Sequence, residues 1–419
     1  MKILIITENF YPETNAPAKR LYEHSKEWVK IGNQITVLTG VPNFPIGKIY
    51  SGYKNKIYQS EKIDGINIKR IWTYFTKNRG IIYRTVDFLS FMFSSFIFGL
   101  FIKKHDRILV SSPQFFPVIS GFLISRIRRV PLIFEIRDLW PESIVSLGTL
   151  KENNFIIKIL SSITRYIYHK SMLIFVVTDS FKDYLINIGI KEEKIFVIKN
   201  GFNFDRTLEP NKDANTVIKE YKIKNDKFIV SYIGTIGMAH GVETILKTAK
   251  LIKNVTFLII GEGANKKKLV KMAEDQKLTN VIFIDNIDWQ EIVNINQIVS
   301  ANLVHLKKLK LFESVIPSKI FESMALKKPI LAGLIGESLS IIKESNSGIQ
   351  VEPEDELSLF NQILFLKKYP EKLKELGENG FIYVNKKHNR KILARQMMEI
   401  IEKNRIIKSR IKVCNSIVN

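Results

Sequence analysis

FIVSYIGTIGMAHGVETILKTAK, residues 228–250, reads as a buried strand, a glycine-bearing turn and an amphipathic helix. Apolar residues run from Phe228 to Ile233 with only Ser231 between them, then recur at helical spacing through Val242, Ile245, Leu246 and Ala249. A run without alternation is buried on both faces, as parallel strands are when helices cover both sides of a sheet.

The same unit recurs downstream. VTFLIIG, NVIFID, ANLVHLK, KPILAGL and SGIQVEP are strand-like runs separated by helical stretches. Upstream, KILIIT, a helix near Ala18 to Ile31, QITVLTG, INIKRI, RILVSS, LIFEIR, MLIFVVT and KIFVIKN follow the same rhythm. Two successive alternating blocks predict an α/β protein of two doubly wound, Rossmann-like domains. Between them, Asn203 to Lys227 is polar and carries Pro210, which suits a linker. The expected division is therefore residues 1–205 and 206–385. Residues 386–419 form a helical segment, with Ile392, Leu393, Met397, Ile400 and Ile401 on one apolar stripe that packs back toward the first domain.

The totals agree. At 419 residues the chain exceeds what one core organises, and 45% hydrophobic with 25% charged residues is a globular composition. The lone Cys414 excludes an intrachain disulfide, which fits a reducing cytoplasm. The N-terminal apolar run meets Glu8 at once and reads as a first strand, not a signal peptide.

The net charge of +23 is uneven, since Lys and Arg outnumber Asp and Glu 15 to 4 between residues 44 and 134. Within that region FLSFMFSSFIFGLFI, residues 88–102, has no charge and is followed by Lys103, Lys104 and Arg107. A helix of that length covers about 22 Å, short of the roughly 30 Å of a bilayer core. Three readings stay open: a core helix, an interfacial helix or a short span. SRIRR at 125–129 and FIIKILSSITRYIYHK at 155–170 also mix apolar residues with cations, which favours an anionic membrane surface as partner. No helix-turn-helix, zinc-finger or RNP-type pattern supports nucleic acid.

Three constellations carry chemistry. Gly234, Thr235, Gly237 and His240 lie in the turn after the first strand of the second block, and Gly261 and Gly263 in the turn after its next strand. Glycine turns that open a helix can present N–H groups to a phosphate. In VIPSKIFESMALKKPILAG, Pro317 precedes a helix with Ser318 near its N-cap, and Lys319 and Glu322 share one face. Such a lysine can neutralise a diphosphate while the glutamate accepts ribose hydroxyls. Arg137 and Asp138 end the strand LIFEI, at the edge where open α/β sheets hold ligands. Asp138 is the candidate to orient or deprotonate an acceptor hydroxyl, and Arg20 is a further candidate for phosphate.

PSKIFESMA at 317–325 and KPILA at 328–332, with ENFYPETNAPAKR at 8–20, GVPNFPIGK at 40–48 and EIRDLWPES at 135–143, resemble the family 4 glycosyltransferases. The similarity runs from Met1 to about Lys387, and the N-terminal motifs resemble the branch that includes the WbuB-like enzymes of capsule or O-antigen synthesis. The resemblance implies the GT-B fold, two facing Rossmann-like domains with a cleft between them, acceptor on the first and donor nucleotide on the second. It implies hexosyl transfer from a UDP-sugar with retention, N-acetyl-L-fucosamine being among the sugars of that branch. The apolar helix at 88–102 and its cations suit a polyprenyl-diphosphate-linked acceptor, and with no Asp-x-Asp cluster and basic turns to take the phosphate charge, no metal or other cofactor is expected. The enzyme is then expected in the cytoplasm, peripheral on the inner face of the cell membrane. By that resemblance Glu322 grips the ribose, Lys319 sits near the diphosphate, and the turns at Gly234–His240 and Gly261–Gly263 bind the donor. Two positions depart from the pattern: a second glutamate eight residues before Glu322 is Ser314, and a cationic pair after the first strand of domain two is Thr235 and His240. A GT-B epimerase and a non-catalytic membrane scaffold are the rival readings.

Overall fold

A computed structural model describes residues 1–44, 47–75, 81–113, 115–146, 153–223 and 228–417. Pro45 and Ile46 of the GVPNFPIGK stretch and residues 224–227 of the expected linker lie outside these. The chain forms two compact units, Met1–Lys199 with Arg390–Asn419, and Asn200–Asn389.

In the first unit eight strands form one sheet: β1 (Lys2–Ile6), β2 (Gln34–Thr39), β3 (Tyr58–Ile63), β4 (Ile66–Ile71), β5 (Arg107–Ser111), β6 (Leu132–Ile136), β7 (Leu173–Val176) and β8 (Ile195–Val197). Their order is β3-β4-β2-β1-β5-β6-β7-β8, parallel except for β3 against β4. The edge strand β3 was not among the expected strands. Its sequence YQSEKI alternates in exposure and holds no apolar run. The local signal is the hairpin turn Asp64-Gly65, with φ of 48° and 80°, the positive pair that Asp-Gly adopts readily.

Both faces of this sheet are buried. On β6, Leu132, Phe134 and Ile136 enter one core cluster with helices Phe116–Arg128 and Phe155–Lys170. Ile133 joins the opposite cluster with helices Ala16–Lys30 and Arg390–Ile417. There Trp28 is fully buried and its indole N–H donates to the Ala394 carbonyl at 2.7 Å. The amphipathic C-terminal stripe thus packs on the first unit, while the preceding helix Pro370–Lys387 stays with the second. The two are separated at His388–Asn389, so the returning helix begins at Arg390, a few residues after the expected start at 386.

The uncharged run at 88–102 sits in a longer helix, Ile81–Phe101. Its 21 residues cover about 31 Å, because the pattern extends back through polar Arg84 and Asp87. One side packs on helix Phe116–Arg128: Phe91 is buried, Ser95 Oγ meets Ser120 Oγ at 2.8 Å, and Gly99 lies against Ile124. The other side leaves Phe93, Ile97 and Phe101 at 58%, 52% and 82% exposure.

The second unit holds β9 (Ile229–Ile233), β10 (Thr256–Ile260), β11 (Val281–Ile284), β12 (Ala301–His305), β13 (Ile330–Gly333) and β14 (Gly348–Gln350). They are all parallel, in the order β11-β10-β9-β12-β13-β14. The chain turns outward in both directions from β9, which makes the C-terminal ends of β9 and β12 the topological switch point. Part of the polar segment before β9 is itself a helix, Ala214–Glu220, capped by Asp213.

Candidate functional site

The switch point of the second unit gathers most of the expected binding residues. The turn after β9 and the turn after β10 are joined backbone to backbone: Gly234 N donates to Ile260 O at 2.8 Å, Ile236 N to Glu262 O at 2.8 Å, and Asn265 N to Ile236 O at 3.0 Å. A Cβ on Gly261 would lie 2.1 Å from the Gly234 carbonyl oxygen, and one on Gly263 2.3 Å from that of Ile236. These glycines therefore serve close approach of two main chains, which holds the loop edge rigid.

Lys319 starts the helix Lys319–Ala325 and reaches under this edge. Its ammonium lies 3.9 Å from the centre of the Tyr232 ring and packs against Gly234, where a Cβ would stand 3.0 Å from Nζ. Nζ is buried and finds no hydrogen-bond partner among the described residues. Burial lowers its pKa to about 7, against a weaker pull from Glu322 toward the charged form. Lys319 and Glu322 are thus brought together as expected, with Glu322 half-buried. Ser318 takes the N-cap position with αR backbone, but its side chain makes no capping bond.

His240 completes the group. Its imidazole pKa is lowered to about 4, first by burial and then by the charge of Lys319, with the Gly237 backbone opposing, and its Nδ1 is buried with no well-aligned hydrogen-bond partner among the described residues. It is a neutral ring at physiological pH, able to donate one hydrogen bond. Thr235 is exposed, and its carbonyl accepts from the Tyr232 hydroxyl at 2.6 Å.

In the first unit, the backbone N–H groups of Arg137 and Asp138 donate to Ser112 Oγ at 2.7 and 3.3 Å, which fixes the end of β6. Arg137 Nε and Nη1 are buried and without partners among the described residues. Burial lowers its pKa to about 9 despite the nearby Glu135 carboxylate. Asp138 has its pKa raised, by burial before all else, with the Ser143 hydroxyl and the Leu139 N–H opposing. A carboxylate moved toward neutrality is a more effective base.

Arg20 has another role than the phosphate contact expected of it. Its Nε pairs with Glu135 Oε1 at 2.9 Å, and Nη1 and Nη2 donate to the Lys199 and Ile198 carbonyls at 2.9 Å each. It is 1% exposed, a buried clamp between helix, sheet and the end of the unit. Burial alone would raise Glu135, but Arg20, Arg137 and Ser111 outweigh it and hold the carboxyl low. A residue without a mark in the motifs is Glu8, two residues beyond β1: Oε2 is buried with no hydrogen-bond partner among the described residues, and burial, then Asp87 and Glu13, push its pKa well up. Its signal was a carboxylate just after an apolar strand.

Two parallel-sheet Rossmann-like units, the second with a buried lysine under a glycine-lined turn, make up the GT-B fold. Residues 18–206 match the family model "Glycosyltransferase Family 4" and residues 213–382 the model "Glycosyl transferases group 1". Together the two matches span most of the chain and mark it as a glycosyltransferase, with a family 4 model on the first part and a group 1 model on the second. The chain is 24% identical over 393 residues to WcaI of Escherichia coli (strain K12), named as a colanic acid biosynthesis glycosyl transferase, covering 90% of this chain and 96% of that one. Among solved structures, Anabaena Alr3699/HepE in complex with UDP and glucose superposes with a TM-score of 0.69 at 16% identity, covering 96% and 99% of the two chains. WaaG, a glycosyltransferase involved in lipopolysaccharide biosynthesis, does so at 0.67 and 14%, covering 95% and 99%.

Proposed function

We propose that this enzyme transfers a hexosyl group from a UDP-sugar to a polyprenyl-diphosphate-linked acceptor in cell-surface polysaccharide synthesis, with retention, as in the WbuB-like branch that the N-terminal motifs resemble. The observation that carries the reading is the buried, unpartnered ammonium of Lys319 against Gly234 and Tyr232. A cation in that position costs several kcal/mol unless an anion meets it, and the leaving nucleoside diphosphate is an anion whose charge grows in the transition state. Lys319 then takes the part a metal ion would otherwise play. Glu322 receives the ribose hydroxyls, His240 donates to phosphate, and the turns at Gly234–Gly237 and Gly261–Gly263 hold the nucleotide.

Asp138 orients or deprotonates the acceptor hydroxyl in the first unit, and Arg137 offers its two unpaired nitrogens to the acceptor's phosphate. The lipid nature of that acceptor is supported by the exposed apolar side of helix Ile81–Phe101 and by helix Phe155–Lys170, where Phe155, Ile156 and Tyr166 are exposed beside Lys158 and Arg165. We place the enzyme on the inner face of the cell membrane as a peripheral protein, the donor being cytoplasmic.

Titration calorimetry with UDP tests the site. Lys319→Ala is expected to weaken binding by roughly 10- to 150-fold, the weight of a hydrogen bond to a charged group. Equal affinity in wild type and variant would remove the basis of the reading. Conversion of a UDP-hexose into an isomeric UDP-sugar with no acceptor present would favour an epimerase instead.

A further inference from the structure

His305, at the C-terminal end of β12, is not among the residues expected to bind the donor, yet it joins three loops at the switch point. It is 1% exposed. Glu354 N donates to its Nε2 at 3.0 Å, and its Nδ1 lies 2.8 Å from the His240 carbonyl oxygen. A backbone N–H can only donate, so Nε2 carries a lone pair and the ring proton sits on Nδ1, directed at that carbonyl. The imidazole is thereby fixed as one neutral tautomer.

The surroundings are shaped to this ring. A Cβ on Gly241 would lie 2.6 Å from Cε1, and one on Gly333 2.2 Å from Cδ2. Gly241 is also at φ +56°, in the left-handed region. Glu354 itself has φ +64° and is held there as its carboxylate accepts from Lys308 N at 2.9 Å. Lys307 N adds a second tie to the loop, donating to Ala239 O at 3.0 Å.

We propose that His305 is a positioning residue for donor binding: its Nδ1–H holds the His240 carbonyl, and with it the loop Gly237–Gly241 and the His240 ring, in the geometry that receives the diphosphate. This rests on the donor reading of the second unit. Charged and titratable groups around it are Glu354, Glu243, Lys319 and His240. A proton on Nε2 would set an N–H against the Glu354 N–H and undo the clamp.

Three variants of the full chain separate positioning from space-filling. In His305→Asn the amide nitrogen replaces Nδ1 and keeps the bond to His240. In His305→Gln the side-chain oxygen replaces Nε2 and keeps only the bond from Glu354, although glutamine is nearer to histidine in volume. Calorimetry should give a UDP affinity within about threefold of wild type for Asn, and about tenfold weaker for Gln and Ala, the weight of one buried hydrogen bond. Amide hydrogen exchange at 237–241 without UDP should be faster in Gln and Ala than in Asn. Slow exchange at those amides in all three would overturn the clamp whatever the ligand is. Equal UDP affinity of Gln and wild type would overturn it too. If UDP fails to bind wild type while exchange still follows the order above, the donor reading fails and the loop clamp stands.

Discussion

Lys319 occupies a place where its charge is costly, and that makes its titration a readout of ligand. In the free enzyme its pKa is lowered to about 7, so the ammonium is deprotonated progressively as pH rises through that value. A bound diphosphate pairs with the charged form and lifts the pKa, so binding takes up a proton above pH 7. Affinity for a UDP-hexose, whose own phosphates do not titrate there, is therefore expected to be level below pH 7 and to weaken by up to tenfold per pH unit above it. Calorimetry between pH 6 and 9 checks this, and Lys319→Arg, which stays charged, should give a flat profile. A flat profile in wild type would mean that the lysine does not meet the phosphate. The neighbouring His240, held near 4, takes no part in this window.

At the scale of elements, helix Ile81–Phe101 shows how two demands share one sequence. Phe91, Ser95 and Gly99 recur every fourth residue and pack inward, whereas Phe93, Ile97 and Phe101 do the same on the exposed side. A second apolar stripe on an exposed face needs a partner, and the segment Tyr83–Phe101 is long and apolar enough to cross a membrane by length and composition. Helix Phe116–Arg128 adds Leu123 and Ile127 as exposed apolar residues, and its Phe122 meets Tyr166 of Phe155–Lys170 edge to face at 5.8 Å, which ties those two helices together. Changing Phe93, Ile97 and Phe101 together to serine should abolish co-sedimentation with vesicles containing anionic lipid, with transfer to a short water-soluble acceptor retained. Unaltered sedimentation would place the contact elsewhere.

At the scale of the whole molecule, the chain leaves the first unit at Lys199 and returns to it at Arg390. The returning helix covers one face of the first sheet, where Leu393, Ala394, Met397, Met398 and Ile401 are buried with Trp28. Glu23 and Glu27 pair with Arg390 and Arg395 across the same contact. Trp28→Ala removes a buried ring and its bond to Ala394, and should destabilise the first unit by ~3–5 kcal/mol. Urea unfolding followed by circular dichroism would register this as a lowered first transition. A loss below 1 kcal/mol would show that the helix adds little to that core.

The sequence alone determined the two α/β blocks, because strand and helix periods record which residues are buried, and burial is a local pattern. It also located the turns at Gly234–Gly241 and Gly261–Gly263 and the Lys319–Glu322 pair, since each lies within a few residues of a strand end. What only the tertiary structure decided is who meets whom across long separations: Arg20 closing on Glu135 rather than on phosphate, and Lys319 lying beneath Tyr232. The same holds for His305 binding a carbonyl 65 residues away, and for the last helix returning to the first unit. Local spacing says that a side chain is buried or polar. Its partner is chosen by chain reversal and packing, which bring together residues whose positions in sequence carry no mark of one another.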